Sequence, residues 1–534
     1  MFLFAFRLKL ITMTFPDNFP KPHETYFKAS LDILLGLERN ESVDKLIKGI
    51  SSGYKINTVP FWVIKWVYAH QDKIKLSKDV LNLIKIKKVR SLSGIVPVSV
   101  FTKPHPCPGN CIFCPNETGV PKSYLHNEPG IMRAQRNNFD PSEQFFSRLS
   151  QLNFSGHEIN KVDLIIQGGT FSNLPNEYRE QFIAACFAQA NSWPSKLAPN
   201  DIYDLVKEHG KNEKAKIRII GITIETRPDW INEKEIIFLR KLGVTRVELG
   251  VQNISDGILS LNNRTHTTND IINATKLLKD SGLKICYHLM PGLYGSNLKD
   301  DLNNIKKVFS DPAFRPDYLK IYPCVVLKNT KLLELYKKKK YEPLTDHDLI
   351  DLLIEVKKIV PEYVRIQRLG RDIPANSIAA GCKISNIREL VLKKSYCKCI
   401  RCREIKDQKN HKVHLNIISY TASGGTEYFL EMVDKDYRLY AILRLRFPQE
   451  FYIKELQDSA VIRELHTYGA ATGIGKKGKI QHLGLGKLLI EVAETISKSH
   501  GYKKIAVISG IGARDYYRKL GYKLKDTYMI KDLL

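Results

Sequence analysis

The sequence predicts an α/β protein: a partial (β/α), TIM-like barrel, preceded by a helical extension and followed by a smaller α/β domain. The chain has 534 residues, which suggests about three domains, and its apolar fraction of 43% can build sizeable cores. Between residues 91 and 385, short β-rich runs alternate with amphipathic segments, as in parallel strands joined by helices. Residues 413–534 resume with their own strands and helices.

The N-terminal residues 1–90 are rich in lysine and contain no chemical motif. Apolar spacing predicts helices over 26–37 and 79–87. This region is interpreted either as a helical cap with solvated charges or as a basic surface that docks RNA. Residues 1–14 lack the cleavage site of a signal peptide, and no apolar run reaches about 18 residues. We therefore expect a cytoplasmic protein without a membrane anchor.

The barrel region, 91–385, contains a regular alternation of predicted elements. The predicted strands are 162–167, 217–224, 246–251, 284–289 and 318–322. The predicted helices are 176–191, 233–242, 270–281 and 298–309. Barrels of this kind carry their chemistry at the C-terminal ends of the strands, so functional side chains are expected there.

A basic, cysteine-bearing connector is predicted at 386–412, and the smaller α/β domain at 413–534. The predicted strands of this domain are 414–420, 440–447, 460–466 and 505–509, with a helix at 487–498. Across the whole chain, 83 Lys and Arg stand against 56 Asp and Glu, a formal charge of +27. This excess favours a polyanionic partner such as nucleic acid, although a basic protein of another class would show it too.

Three cysteines follow the spacing C-x3-C-x2-C at Cys107, Cys111 and Cys114. Three thiolates in one short loop can hold three irons of a 4Fe–4S cluster and leave the fourth iron open to a substrate or cofactor. The alternative is a zinc site, with His105 as a fourth ligand. The spacing, with Phe113 before the third cysteine, resembles the signature of radical S-adenosylmethionine (SAM) enzymes.

A second cysteine group, Cys397, Cys399 and Cys402, has the spacing C-x-C-x2-C. These thiolates favour zinc, because no open coordination position is needed here. The fourth ligand is left open between Cys382, His411 and His414, of which Cys382 is preferred. The alternative is a reduced, metal-free linker.

Residues 481–486 read Gln481, His482, Leu483, Gly484, Leu485, Gly486 and lead from a Gly/Lys loop into a helix. Free backbone N–H groups and the positive end of the helix dipole at such a start can bind a pyrophosphate. The pattern resembles the acetyl-CoA motif of the GNAT acetyltransferases. Downstream, Tyr516 or Tyr517 resembles the GNAT tyrosine near the thioester sulfur, which can protonate a leaving thiolate.

Both signatures in one chain, with a cysteine-rich joint between them, resemble the Elp3 family, the catalytic subunits of Elongator, in its stand-alone prokaryotic form. The resemblance runs from about residue 20 to the end of the chain. Matching segments include 90–98, 103–107, 167–171, 225–229, 248–252, 288–292, 422–427, 463–466 and 505–510.

This resemblance implies a tRNA uridine(34) acetyltransferase of the cytoplasm that uses a 4Fe–4S cluster, SAM and acetyl-CoA, with Zn²⁺ in the joint. A SAM-derived 5′-deoxyadenosyl radical is expected to abstract hydrogen from the acetyl methyl group, so that a carboxymethyl precursor adds to C5 of the wobble uridine. The base has to leave the stack of the anticodon loop to reach a pocket. The oligomeric state stays open, with a homodimer as one alternative.

The resemblance also assigns roles to residues. Cys107, Cys111 and Cys114 are expected to ligate the cluster, and Lys320 and Tyr322 to face the uridine or the acetyl group. The expected contacts to SAM or its cleft are Gly168, Gly169, Glu225, Arg227 and Gln252. The expected contacts to acetyl-CoA are Glu464, Leu465, His466, Gln481, His482, Leu483, Gly484, Leu485 and Gly486.

Two other functions compete with this one. A protein lysine acetyltransferase with a structural iron–sulfur domain is motivated by the GNAT-like motif. A non-catalytic tRNA-binding module is motivated by the charge alone.

Overall fold

The computed structural model describes residues 22–56, 58–71, 73–77, 80, 94–384, 386–405, 412–469 and 484–533. The predicted helix 79–87, apart from Val80, lies outside these residues, as do His411, Gln481, His482 and Leu483. Among the described residues, no helix is both long enough and apolar enough to cross a membrane.

The described helices and strands are numbered here in chain order. The helices are α1 Glu24–Glu38, α2 Val43–Gly53, α3 Phe61–Ala69, α4 Pro129–Arg136, α5 Pro141–Phe154, α6 Asn176–Ser192, α7 Leu205–Asn212, α8 Glu233–Lys241, α9 Asp256–Leu261, α10 Thr268–Asp280, α11 Leu298–Ser310, α12 Lys331–Lys337, α13 Asp346–Ile359, α14 Ile387–Lys394, α15 Ile400–Arg403, α16 Leu485–Ser499 and α17 Arg514–Arg518. The strands are β1 Val96–Phe101, β2 Lys161–Gln167, β3 Arg218–Thr226, β4 Arg246–Gln252, β5 Lys284–Leu289, β6 Tyr318–Ile321, β7 Val326–Leu327, β8 Arg365–Leu369, β9 Ile378–Ala380, β10 Val413–Ala422, β11 Gly425–Asp434, β12 Leu439–Phe447, β13 Ser459–Thr467, β14 Lys504–Val507, β15 Lys523–Lys525 and β16 Tyr528–Asp532.

The first large sheet is an open barrel of seven strands in the order β1-β2-β3-β4-β5-β6-β8. Every neighbouring pair is parallel, which confirms the predicted partial (β/α) barrel. All five strands predicted in this region are present. Strands β1 and β8 were not predicted, because β1 contains Pro97 and β8 carries arginines that face the barrel interior.

The helices that cover this barrel begin at capping residues that the sequence supplies. At α10, the Thr267 hydroxyl accepts from the Asp270 N–H while the Asp270 carboxylate accepts from the Thr267 N–H, a capping box. The same arrangement joins Thr345 and Asp348 at α13. The apolar face of α10 is then buried against the sheet, which orients the strand ends that follow.

The second large sheet has the order β10-β11-β12-β13-β14-β16-β15. Its central pair, β13 and β14, is parallel, and pairing runs only from Ser459 opposite Lys504 to Ile462 opposite Val507. Beyond Ile462, β13 continues to Thr467 without β14 beside it. The two strands therefore separate and leave a wedge, called here the β13–β14 wedge, next to the start of α16.

The two sheets share one apolar core, whereas the N-terminal helices α1–α3 pack around a separate core of their own. A buried ion network also crosses between the sheets. Arg463 of β13 donates to Asp317 at the start of β6 and to Glu427 of β11. The barrel and the C-terminal domain are thus held in a fixed relation by both apolar and charged contacts.

Candidate active site

One cavity of about 2010 Å³ joins the two motifs that the sequence separates by some 370 residues. It begins at the cysteine loop, follows the barrel interior and ends at the β13–β14 wedge and the first turn of α16. Its lining includes Cys107, Glu225, Lys320, Glu464 and Gly486. Side chains from both halves of the chain therefore face one continuous cavity.

The three cysteines of the first motif lie together at the C-terminal end of the barrel strands. All three are free thiols, and a Cβ atom built on Gly109 would lie 3.7 Å from the sulfurs of both Cys107 and Cys111. Burial, followed by the neighbouring Cys111 thiol, raises the pKa of Cys114 to about 11. Three thiols carried by one short loop at the edge of a cavity fit the ligands of an iron–sulfur cluster.

Two arginines flank this cysteine loop. The Arg264 guanidinium donates to the Cys111 sulfur at 3.5 Å. Arg227 is held by Asp229 at 2.9 Å, and its guanidinium lies where a Cβ atom on Gly109 would clash at 2.6 Å. Positive charge therefore surrounds the thiols, as an anionic cluster requires. Arg264 was missed in the sequence, because nothing in its local pattern separates it from a surface arginine.

The ends of β2, β3 and β4 present polar groups to the same part of the cavity. Gly168 and Gly169 have φ values of +135° and +97°, and a Cβ atom on Gly168 would clash with the Thr102 hydroxyl, so this turn requires glycine. Glu225 accepts from the Tyr124 hydroxyl at 2.8 Å. Gln252 has a φ of +67°, and its buried Oε1 atom has no hydrogen-bond partner among the described residues. An orphaned acceptor in a polar cleft fits a ligand such as SAM.

A buried charge cluster occupies the middle of the barrel. Lys320 of β6 pairs with Glu248 of β4, and His288 of β5 lies 2.8 Å from the same carboxylate. Burial alone would raise the pKa of Glu248, but Lys320 and His288 hold it well below its usual range. Burial alone would likewise lower the pKa of Lys320, and Glu248 raises it instead. Lys320 thus remains charged, and the Tyr322 ring packs edge-on against His288.

Glu248 and His288 had no assigned role in the sequence analysis. The signal that could have found them is alternation: Arg246, Glu248 and Gln252 occupy every second or fourth position of a strand whose other residues are apolar. Charged residues are rarely buried without a partner. Such a pattern indicates an interior polar face, yet it does not name the partner across the barrel.

The β13–β14 wedge carries its own polar pair. Glu464 accepts from Arg444 at 2.8 Å and from the Tyr318 hydroxyl of β6. Burial alone would raise the pKa of Glu464, but Arg444 lowers it to about 2, so it stays ionised. Burial lowers the pKa of His466 to about 4, so this imidazole is neutral near pH 7. Leu465 lies between them and also lines the cavity.

The predicted coenzyme loop is described only from Gly484 onward. Gly484 precedes α16 with a φ of +74°, and no residue that the structure describes lies within 4 Å of a Cβ atom built there. Leu485 and Gly486 belong to the first turn of α16 rather than to a loop. A Cβ atom on Gly486 would lie 3.2 Å from the Tyr516 hydroxyl, which places this tyrosine beside the helix start.

The two adjacent tyrosines of α17 differ in burial. Tyr516 is 41% exposed, whereas Tyr517 is 7% exposed, and both line the cavity. Burial raises the pKa of Tyr517, and its hydroxyl has no hydrogen-bond partner among the described residues. A fixed ring that presents a protonated, unpaired hydroxyl to a cavity suits a general acid.

The second cysteine group also converges. The sulfurs of Cys397, Cys399 and Cys402 lie within 4.8 Å of one another, and the Lys357 ammonium lies 3.2 Å from the Cys402 sulfur. Cys382, preferred as a fourth ligand, lies outside this group of three sulfurs within the described part of the chain, and its role as a metal ligand stays a prediction. The Cys382 thiol instead lies beside Asp346, the first residue of α13. His414 is also outside the group.

Comparison with known proteins agrees with this architecture. Residues 105–307 match the Radical SAM superfamily, and residues 316–396 match the Radical SAM C-terminal domain. The open parallel barrel and its cysteine loop therefore define a radical SAM protein with an added sheet-rich C-terminal region.

Full-length relatives narrow this class. The chain is 44% identical to the tRNA uridine(34) acetyltransferase of Methanocaldococcus infernus, over 87% of this chain and 90% of that one. It is 39% identical to human Elongator complex protein 3, over 85% and 87% of the two chains. The solved structure of M. infernus Elp3 with residues 1–46 deleted matches with a TM-score of 0.72 and 41% identity, over 83% of this chain and 100% of that one. The chain belongs to the Elp3 family.

Proposed function

We propose that this chain is a tRNA uridine(34) acetyltransferase that joins an acetyl-CoA site and a radical SAM site within one cavity. The observation that carries the proposal is the continuity of that cavity from the cysteine loop to the β13–β14 wedge. Two sites in separate spaces could not pass an acyl group from one to the other without releasing it. The names of the curated relatives support the same substrate.

In the barrel, Cys107, Cys111 and Cys114 would hold a 4Fe–4S cluster, and Arg264 and Arg227 would balance its charge. Gly168, Gly169, Glu225 and Gln252 would contact SAM, with the Gln252 amide oxygen available as an acceptor. When bound, the cluster and SAM supply a carbon-centred radical. Lys320 and Tyr322, deeper in the barrel, would position the acetyl group or the uridine base.

In the C-terminal domain, which we assign to the GNAT acetyltransferases, the start of α16 would hold the pyrophosphate of acetyl-CoA. The segment 481–486 would supply backbone N–H groups. The acetyl thioester would lie in the β13–β14 wedge beside Glu464, Leu465 and His466. Tyr517 would protonate the departing thiolate, because its hydroxyl is buried, protonated and without a hydrogen-bond partner in the part of the chain that the structure describes.

The tRNA substrate accounts for the net charge of +27. Phosphate contacts by lysine and arginine supply most of the affinity for RNA, and an anticodon base has to be unstacked to enter a pocket. We assign residues 1–90 to tRNA binding, 91–385 to the radical SAM domain, 386–412 to a zinc-binding linker and 413–534 to the acetyltransferase domain. Zinc would be held by Cys397, Cys399 and Cys402, with a fourth ligand still to be found. We expect the enzyme to act in the cytoplasm.

The test is anaerobic incubation of reconstituted protein with tRNA, acetyl-CoA, SAM and a reductant, followed by nucleoside mass spectrometry. We expect 5-carboxymethyluridine from the wild type and none from Cys111→Ala. The matched control is Cys186→Ala, because Cys186 is buried in α6, away from the cavity. Product from Cys111→Ala, or none from a wild type with an intact cluster, would refute the proposal.

The alternative function, a protein lysine acetyltransferase, is not favoured by these comparisons, since the relatives are named for tRNA and Elongator. Acetylated peptide formed without tRNA would be the result that revives it.

A further inference from the structure

The end of the barrel opposite the cysteine loop is lined by basic residues that begin the strands. Five of the seven barrel strands start with Lys or Arg, and all five side chains line the cavity. These residues, called here the barrel floor, are Lys161, Arg218, Arg246, Lys284 and Arg365. A ring of cations at the base of a barrel is unusual, because interior layers of such barrels are dominated by apolar side chains.

Two of the five cations have acidic partners. Arg246 pairs with Asp163 at 3.0 Å, and Arg365 pairs with Glu404 at 2.7 Å. The Arg246–Asp163 pair joins β4 to β2 across the intervening strand β3, where it passes over Gly221. A Cβ atom at Gly221 would lie 3.3 Å from the Asp163 carboxylate, so a glycine leaves room for this pair.

The other three, Lys161, Arg218 and Lys284, form no side-chain hydrogen bond or ion pair with any residue that the structure describes. Lys161 and Arg218 lie directly opposite each other in the β2–β3 register, so their charges reinforce each other. Burial lowers the pKa of Lys161 and of Lys284. Acidic groups act on two of these cations from a distance, Glu158 on Lys161 and Glu464 on Lys284, but none of them forms a hydrogen bond or a close ion pair with the cation. An anion bound between the three cations would supply those direct contacts and offset the cost of their partial burial.

The barrel floor adjoins the acetyl end of the cavity rather than its SAM end. Lys284 is the register partner of Arg246, and the Arg246 guanidinium lies 5.4 Å from the centre of the Tyr318 ring. Tyr318 in turn donates to Glu464 in the β13–β14 wedge. On the other side, a Cβ atom on Gly512 would lie 2.6 Å from the Arg218 Cβ, so the segment after β14 packs on Arg218.

We propose that the barrel floor is a binding site for a small carboxylate anion, the product of thioester hydrolysis in the wedge beside it. This inference rests on the proposed function. In the hydrolysis, water adds its oxygen to the acyl carbon, the carbon–sulfur bond breaks, and the products are a carboxylate, the coenzyme thiol and one proton. Lys161, Arg218 and Lys284 would attract the carboxylate and not the neutral thioester.

The carboxylate has two sources. It is acetate if acetyl-CoA is hydrolysed before transfer, and it is the carboxymethyl group of the modified uridine if hydrolysis follows transfer. Both present the same anion to Lys284, Lys161 and Arg218. They differ in size, because only the second carries a base and a ribose.

The experiment measures binding of ¹³C-acetate, and separately of the nucleoside 5-carboxymethyluridine, to the purified full chain by NMR line broadening. No cluster, SAM or tRNA is added, so the result does not depend on the formation of modified tRNA. The variants are Lys284→Met and, at the more accessible edge, Lys161→Met. Lys284→Arg retains the charge, and Lys299→Met is the matched control, because Lys299 is exposed on α11. Thermal unfolding of each variant verifies that it is folded.

We expect saturable binding that weakens about tenfold in Lys284→Met and in Lys161→Met, since a charge-assisted hydrogen bond is lost. Lys284→Arg and Lys299→Met are expected to bind within about twofold of the wild type. Tighter binding of acetate than of the nucleoside identifies hydrolysis before transfer, and the reverse order identifies hydrolysis after it. Equal binding by folded Lys284→Met and wild type would overturn the inference. The inference would also be overturned if inorganic phosphate displaced bound acetate at a concentration lower than the one at which acetate itself binds, because the barrel floor would then be a phosphate site.

Discussion

The buried network between the two sheets offers a quantitative test of how the C-terminal domain is held against the barrel. Asp317 is fully buried at the start of β6, and its carboxylate accepts from Arg463 at 2.5 and 2.9 Å. The cations Lys279 and Arg444 lie 3.7 and 3.6 Å away. Burial alone would raise the pKa of Asp317, but these three cations hold it well below its usual range. The substitution Asp317→Asn removes the negative charge and leaves the cations in place.

The expected loss follows from the burial of these charges. Removing one partner of a buried ion pair costs about 3–5 kcal/mol, because the remaining charge is left without compensation. Glu427 still faces Arg463 and Lys279, which places the expected value near the lower end, about 3 kcal/mol. That is a change of more than about a hundredfold in the folding equilibrium. The loss should fall on the C-terminal domain, whose strand β13 carries Arg463.

The assay is urea unfolding combined with hydrogen exchange of peptides from β12 and β13, measured at pH 7 where Asp317 is ionised. Asp351→Asn serves as the matched control: Asp351 is 56% exposed and pairs with His347 at the surface of α13. A surface pair of this kind contributes about 1 kcal/mol at most. A loss below about 1 kcal/mol in Asp317→Asn, or an equal loss in both variants, would refute the reasoning.

Further predictions concern catalysis and pH. Tyr517→Phe is expected to slow acetyl-CoA hydrolysis about a hundredfold or more, whereas Tyr516→Phe should slow it little. The assay follows release of the coenzyme thiol in the presence of tRNA. A larger effect of Tyr516→Phe than of Tyr517→Phe would show that the exposed tyrosine is the acid. Glu248→Gln removes the counter-charge of buried Lys320, so formation of the modified nucleoside should fall about a hundredfold while release of the coenzyme thiol persists. Loss of both activities in a folded variant would place Glu248 and Lys320 in the acetyl site. Burial lowers the pKa of His209 to about 3. Between about pH 6.5 and pH 3, His209 is therefore protonated in the unfolded chain and neutral in the folded chain. Stability should therefore fall as the pH drops through this window, by about 2 kcal/mol between pH 6.5 and pH 5, and urea unfolding of His209→Gln should lack that component.

Local sequence patterns predicted much of the fold. The strands and helices of the barrel were predicted to within about two residues in most cases, because alternation and amphipathic spacing report which face of an element is buried. Strand β11 was missed, although it pairs with a strand on each side, β10 and β12, in the second sheet. Its sequence carries Glu427 and Glu431 inward, and a strand with buried acids does not show the expected apolar alternation.

The candidate site was predicted in part for the same reason. Cys107, Cys111 and Cys114 could be identified because all three belong to one short loop, and Cys397, Cys399 and Cys402 likewise. The role of Cys382 as a fourth ligand stays a prediction, since its distance from that group depends on how α13 packs rather than on local spacing. Whether Tyr516 or Tyr517 is buried was also left open, because two adjacent aromatic residues on a short helix have equivalent local patterns.

The sequence by itself determined the two chemical motifs, their order and the class of protein, because each motif is a short-range pattern whose chemistry does not depend on distant residues. Only the tertiary structure decided that the motifs share one cavity, that Glu248 neutralises Lys320, and that Asp317 joins the barrel to the C-terminal domain. These contacts connect residues far apart in the chain. Their existence depends on strand order and register, which are set by packing of the whole core and not by any single segment.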